Sequence, residues 1–317
     1  MDEKPRGKFI NTGELEYEPK MPESVLSNIY ELDRLIQGFT FDCVTIWTGI
    51  TNAGKTTMLT LIANEAIKQG EKVFYFNGEQ TPEVFLNNLI KQMAEQKDIF
   101  EVRREHTPLV SRFVKQEKAN ELKRFYNEKL FLFNNEAPRD IGSLLDAMEE
   151  CRRLYGTRVF ILDNFMQIDL ISNDVYQEQT QIMEKLRTYA VNKKVHIHLV
   201  AHPRKMAEFQ TRLSLYDISG SMNLANKAYN VISIMRIDNI DPESLEYFKL
   251  EKQLLEHRFD IREAGAILEV LKTKGESCGL VPMVYDKLLK TYQGLPELSS
   301  EAWDRRKAEF FTQTKRK

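Results

Sequence analysis

An α/β fold, with a largely parallel sheet covered on both faces, is predicted by three features of the sequence. Seven apolar, β-branched runs punctuate the chain, segments with helical apolar spacing separate several of them, and one run passes through a glycine-rich loop into a helix. Strands buried on both faces read as unbroken apolar runs, and helical crossovers between them give parallel order. The 317 residues, 42% of them hydrophobic, suffice for one large α/β domain with appendages.

Residues 1–29 read as an N-terminal arm or linker, polar at first and carrying Pro5, Pro19 and Pro22. A helix is expected over "ESVLSNIYELDRLIQG", about 23–36, where Val25, Leu26, Ile29, Leu32 and Leu35 keep helical spacing ahead of Gly38. Its apolar face fits either a neighbouring subunit or its own domain. The strand-like runs are "VTIWT" (44–48), "KVFYFN" (72–77), "LFLFN" (130–134), "RVFILD" (158–163), "HIHLVA" (196–201), "VISIMR" (231–236) and "AILEVLK" (266–272). Helical spacing recurs between them, as in Met58, Leu61, Ile62 and Ala66, or Leu144, Met148 and Cys151. Charged insertions at about 92–128 and 238–262 break this rhythm and are expected to form solvated helices, with partner-binding arms as the other reading. The main domain thus covers residues 30–292, and residues 293–317 form a C-terminal tail.

A formal net charge of −2 gives no sign of a polyanion partner, although a local basic patch would vanish in such an average. Cys43, Cys151 and Cys278 lie far apart without a CxxC pair, which argues against a zinc site and a disulfide framework and fits a reducing compartment. The first residues have no apolar core of a signal peptide and no run of about 18 apolar residues occurs, so no membrane association is expected.

The segment "GITNAGKTT" satisfies G-x-x-x-x-G-K-[ST] between a strand and a helix, the context a phosphate-binding loop requires. Gly49, Ile50, Thr51, Asn52, Ala53, Gly54, Lys55, Thr56 and Thr57 form the expected nucleotide-binding stretch. Its glycines let backbone N–H groups curl round phosphates, Lys55 reaches the terminal oxygens, and the Thr56 hydroxyl ligates Mg2+.

Ligands of open α/β sheets gather at the carboxyl ends of strands, so the polar residues that end the other runs become candidates. Asp163 follows four apolar residues and is placed to orient a metal ion or its water shell. Glu79, just past "KVFYFN", could polarise the attacking water, and His202 could hydrogen-bond the γ-phosphate. Arg236, Lys272 and Lys274 end the last two runs. Those strands are expected at one edge of the sheet, remote from their own loop, where their cations would face a neighbouring subunit's nucleotide. A cation supplied in trans stabilises charge on the transferring phosphoryl group, so a ring or filament is expected.

Taken together, "LDRLIQGF", "GITNAGKTT", "NGEQ", "ILDNFMQ", "AHPRK", "SGSMNLANKAYNVISIMR" and "VLKTKGESCGLVPMVYD" resemble the RecA-type hexameric replicative helicases of the DnaB group. "DNFMQ" and "HPRK" are particularly similar to the phage primase-helicase and mitochondrial Twinkle branch. The resemblance spans about residues 30–292 and implies a RecA-like P-loop NTPase domain. It further implies Lys55 and Thr56 as phosphate and metal ligands, Glu79 as catalytic base, Asp163 as the metal-side carboxylate, His202 as γ-phosphate sensor and Arg236 as the finger into the adjacent subunit. Two channel loops, about 169–180 and 203–216, would hold single-stranded DNA, the second through Arg204, Lys205 and Arg212.

The implied activity is 5′ to 3′ translocation driven by ATP, or another NTP or dNTP, with Mg2+, by a homohexamer. Primase, polymerase and single-strand-binding protein are the implied partners, in cytoplasm or nucleoid, a viral replisome or the mitochondrial matrix. The chain departs from the family at Lys272-Thr273-Lys274, where DnaB-type members have Lys-x-Arg, and in a longer insertion at 238–262. Lysine offers a point charge without the planar fork of arginine, which places more weight on Arg236. No primase or zinc-binding segment is read before residue 30. A recombinase of the RecA/RadA kind, or an accessory ATPase or loader without unwinding activity, are the alternative readings.

Overall fold

The structure, a computed structural model, describes residues 12–14, 19, 21–170, 172, 174–204, 212–218 and 222–314. In chain order the elements are β1 (Ser24–Val25), α1 (Tyr30–Ile36), β2 (Phe39–Thr40), β3 (Cys43–Thr48), α2 (Lys55–Lys68), β4 (Val73–Asn77) and α3 (Pro82–Met93). They continue with β5 (Ile99–Arg103), β6 (Val110–Val114), α4 (Gln116–Tyr126), β7 (Leu130–Leu132), α5 (Ile141–Tyr155), β8 (Val159–Asp163), α6 (Val175–Lys193) and β9 (His196–Val200). The last are α7 (Met222–Lys227), β10 (Asn230–Arg236), α8 (Leu245–Glu256), β11 (Ala266–Lys272), β12 (Gly279–Asp286), β13 (Thr291–Gly294) and α9 (Ser300–Thr314).

Among the described residues, one sheet of nine strands runs β13-β12-β11-β10-β3-β9-β8-β4-β7. The six strands from β10 to β7 are parallel, so the carboxyl ends of β3, β4, β8, β9 and β10 open on one side. From β10 onward the chain returns antiparallel, through β11, β12 and β13. Apolar layers cover both faces: Leu32, Leu59, Ile62, Phe85 and Leu89 on one, Leu144, Met148, Ile182, Met183 and Leu186 on the other. Every residue of β3, β4, β8 and β9 is therefore buried, which is why these strands carry no polar alternation. Local signals set the helix ends. Thr81 caps α3 ahead of Pro82, Asp140 accepts from Gly142 N and Ser143 N at the start of α5, and Gly156 ends α5 in the left-handed region.

All seven anticipated strands form, within a residue or two of the expected limits. The helix expected from about residue 23 is a correction: α1 starts only at Tyr30, and Ser24–Val25 instead pairs with Phe39–Thr40. Asn28 adopts φ 60°, and Asp33 accepts from Ser27 N, so the chain turns where the period continues. The buried face of α1, Leu32, Leu35 and Ile36, belongs to the domain's own core.

The first insertion is only half helical. Alongside α4 it holds the β5–β6 hairpin, whose pairing of Phe100 with Phe113 and of Glu101 with Arg112 lies on alternate faces. The helical reading of this insertion rests on "ELKRFYNEKL", most of which does lie in α4, and not on the hairpin residues. The second insertion does contain a helix, α8, which builds a small separate core with Phe259, Ile261 and Leu295. α9 docks beside it through the stacked Phe248 and Phe310 and through Arg306, which is nearly buried between Glu251 and Asp260. No helix among the described residues is long and apolar enough to cross a membrane.

Candidate nucleotide site

The turn from β3 into α2 is possible only with glycine at two points. Gly49 and Gly54 have φ of 152° and 101°, and a Cβ at Gly49 would lie 2.5 Å from the Ile234 carbonyl oxygen. A Cβ at Gly54 would lie 2.1 Å from the Tyr292 hydroxyl. The loop leads into the amino end of α2, where unpaired N–H groups and the helix dipole favour an anion. Lys55, buried, folds over the loop and donates to the carbonyls of Gly49 (2.8 Å) and Ile50 (3.0 Å). Burial lowers its pKa, opposed by the charges of Asp163 and Glu79.

The strand-end residues converge on this loop. Asp163, at the end of β8 and one strand beyond β9 from β3, accepts from the Thr56 hydroxyl (2.7 Å) and, at the same oxygen, from the buried Tyr75 hydroxyl (3.1 Å). Burial raises its pKa against the pull of these two bonds and of Lys55. Glu79 and His202 both meet Asn164, whose amide nitrogen donates to the Glu79 carboxylate and lies 3.0 Å from His202 Nε2. Burial first, and Lys55 next, lower the pKa of His202, which keeps the ring neutral near pH 7. Lys55, Thr56, Glu79, Asp163 and His202 line one cavity of about 560 Å³, in which Thr51, Asn52, Gly54 and Thr57 supply the loop wall. Thr56 and Asp163 present a hydroxyl and a carboxylate at one point beside the loop, the donor set that Mg2+ takes when phosphate oxygens and water complete its octahedron.

Arg236 requires a correction. The expectation that it lies remote from its own loop fails because β10 is the direct parallel neighbour of β3, so Arg236 lines the same cavity as Lys55. Its guanidinium pairs with Asp238 (2.9 Å) and stands 5.6 Å from the Tyr285 ring, which in turn lies 4.9 Å from that of Tyr292. A cation and two aromatic rings on one wall suit a nucleobase. Lys272 and Lys274 behave differently, because β11 runs antiparallel and carries them to the opposite end of the sheet, beside Val231 and Tyr229. Lys272 is corrected too, since its three donors go to the carbonyls of Ala225, Asn226 and Ala228, closing the end of α7. Lys274 has its ammonium 5.8 Å from the Tyr229 ring.

Of the three expected DNA contacts, Arg204 is exposed at a bridge between Pro203 and Ile218, with its backbone N–H on the Asp217 carbonyl. Arg212 is half-buried and holds Glu269 through a bidentate pair, at 2.7 and 3.0 Å, so its charge is neutralised within the chain. Lys205 lies outside the described residues. A second cavity, about 610 Å³, opens between α8 and α9, and its arginines, Arg262 and Arg306, are paired with Asp260.

Sequence reasoning missed Tyr75, Asn164, Tyr285 and Tyr292. Asn164 was adjacent to a chosen residue. Tyr75 lay inside the anticipated β4, whereas Tyr285 and Tyr292 needed β12 and β13, the first hidden as a strand by Pro282 and the second by its four-residue length.

The family model for the DnaB-like helicase C terminal domain matches residues 24–293. This chain belongs to that family. The DnaB-like membership accounts for the RecA-type sheet, which is also seen in two solved structures at 17% identity. One, a DnaB-like replicative helicase described with its interactions with primase, aligns at TM-score 0.69 over 86% of this chain and 62% of its own. The other, solved as an ATPase domain, aligns at TM-score 0.67 over 88% of this chain and 94% of its own. Among curated proteins, the Arabidopsis thaliana "Twinkle homolog protein, chloroplastic/mitochondrial" is 24% identical over 200 residues, or 61% of this DnaB-like chain. The match spans 28% of that relative's length.

Proposed function

We propose that the chain is the motor of an ATP-driven DNA helicase that moves 5′ to 3′ along single-stranded DNA as a homohexamer. The observation that carries this reading is the convergence of Lys55, Thr56, Asp163, Glu79 and His202 on one cavity at the carboxyl ends of the parallel strands. Lys55 and the α2 amino end bind and orient the triphosphate. Thr56 and Asp163 would hold Mg2+, which when bound neutralises charge between the terminal phosphates. Glu79 accepts the proton of the attacking water, and His202 reads the presence of the γ-phosphate. Arg236, with Tyr285 and Tyr292, serves the base of the chain's own nucleotide. Lys274, at the far end of the sheet, serves the phosphates of a neighbour's.

Single-stranded DNA is assigned to the 169–180 and 203–216 segments, with Arg204 and Lys205 as phosphate contacts. Primase, polymerase and single-strand-binding protein are the partners of such a motor, in a bacterial, viral or organellar replisome. The deciding experiment is unwinding of a forked duplex with ATP and Mg2+. Strand separation that requires a 5′ tail and is lost in Lys55→Ala supports the proposal. ATP hydrolysis without strand separation would reassign the chain to the accessory ATPases.

A further inference from the structure

We propose that Asn164 is a positioning residue that ties the carboxylate of Glu79 to the ring of His202 through the two protons of one carboxamide. This inference rests on the roles given above to Glu79 and His202. Asn164 directly follows β8 and is 2% exposed. Its Oδ1 accepts from Met166 N (2.9 Å), so the oxygen is committed to the backbone and the nitrogen is turned toward the cavity. That nitrogen donates to Glu79 Oε1 and stands 3.0 Å from His202 Nε2.

An amide nitrogen has protons and no acceptor capacity, so His202 must accept through Nε2. The ring is therefore neutral, with its own proton on Nδ1, in agreement with the burial and the Lys55 charge that lower its pKa. The main chain of Glu79 is fixed separately, by the Asn77 side chain accepting from Glu79 N (3.2 Å) and Gln80 N (3.3 Å). Among the described hydrogen bonds, the one that holds the Glu79 carboxylate comes from Asn164. Protonation of His202 at Nε2, or rotation of the ring toward a phosphate, removes one acceptor from Asn164. The amide then re-centres on Glu79, so the state of the phosphate reader changes the position of the water-activating carboxylate.

Two variants test the link: Asn164→Ala removes both donors, and Asn164→Asp keeps the shape but presents acceptors only. Ring 15N spectra of the nucleotide-free protein, with the His202 signals assigned by their loss in His202→Ala, should show Nδ1 protonated and Nε2 bare. In Asn164→Asp the proton should move to Nε2. In steady-state hydrolysis, Asn164→Ala should lower kcat by up to about 100-fold, with KM for ATP within about threefold, because a misplaced base affects the chemical step and leaves binding alone. The double variant Asn164→Ala/His202→Ala should be no slower than the worse single variant. A wild-type His202 protonated at Nε2, or unchanged His202 signals in Asn164→Asp, would overturn the proposal, as would strictly multiplicative rate losses in the double variant. Absence of any wild-type turnover would sink the hydrolytic reading instead, and the ring spectra would still decide the hydrogen-bond link.

Discussion

Arg236 and Lys274 follow neighbouring strands of one sheet, yet they open on opposite ends of it. β10 delivers Arg236 to the phosphate loop, whereas β11 runs the other way and delivers Lys274 beside Tyr229, roughly 20 Å off at the usual rise of a seven-residue strand. Both looked like strand-end cations. What separates them is strand polarity, which sets Arg236 on the wall of the chain's own loop cavity and Lys274 at the opposite end of the sheet; under the proposed function the first serves the chain's own nucleotide and the second a neighbour's.

The sharpest way to break this comparison is subunit mixing. Lys274→Ala alone should lose about a thousandfold in ATP hydrolysis while its nucleotide affinity is kept, the magnitude typical of a cation supplied in trans. Adding Lys55→Ala subunits, which carry an intact Lys274, should restore activity, because some interfaces then combine an intact loop with an intact neighbour cation. Full activity of Lys274→Ala by itself would contradict the trans assignment.

The end that carries Lys274 also responds to acid. The end that carries Lys274 contains His196, buried with Nδ1 on the Thr40 carbonyl, and behind it His198, also buried, which accepts from Trp47. Burial lowers the pKa of His196 from 6.5 to about 4 and that of His198 well below 6.5, the latter also because of His196. The unfolded chain therefore binds protons that the folded one refuses. Stability is complete above pH 6.5 and falls as pH drops toward 4, by about 1.4 kcal/mol per pH unit for each ring. Urea unfolding across that window checks the slope, and a flat response would show that these rings are not held neutral.

The smallest effect expected is at Arg236. Arg236→Ala should weaken nucleotide affinity about tenfold, from loss of a cation beside the Tyr285 wall. Lys55→Ala subunits should not rescue it, since no interface would then contain a complete site. Rescue would return Arg236 to the neighbour's nucleotide.

Much of the molecule was legible from the chain. The phosphate loop is contiguous and its glycines are required by the backbone, and the parallel strands are buried on both faces, so their apolar runs stand out. Glu79, Asp163 and His202 followed from the rule that strand ends face the ligand. The β5–β6 hairpin, β12 and β13 did not, because charge pairs and a proline interrupt the alternation that marks a strand. α1 was overextended because apolar spacing continues through residues that Asn28 and Ser27 turn away.

The sequence by itself determined the fold class, the loop, and the set of groups that end the parallel strands, since each depends on residues adjacent in the chain. Only the tertiary structure decided which way β11 runs, that Lys272 closes α7, that Tyr292 reaches Gly54, and that Asn164 stands between Glu79 and His202. Those facts belong to strand polarity and to contacts between residues as many as 238 positions apart, between Gly54 and Tyr292 (292 − 54), and no local pattern encodes them.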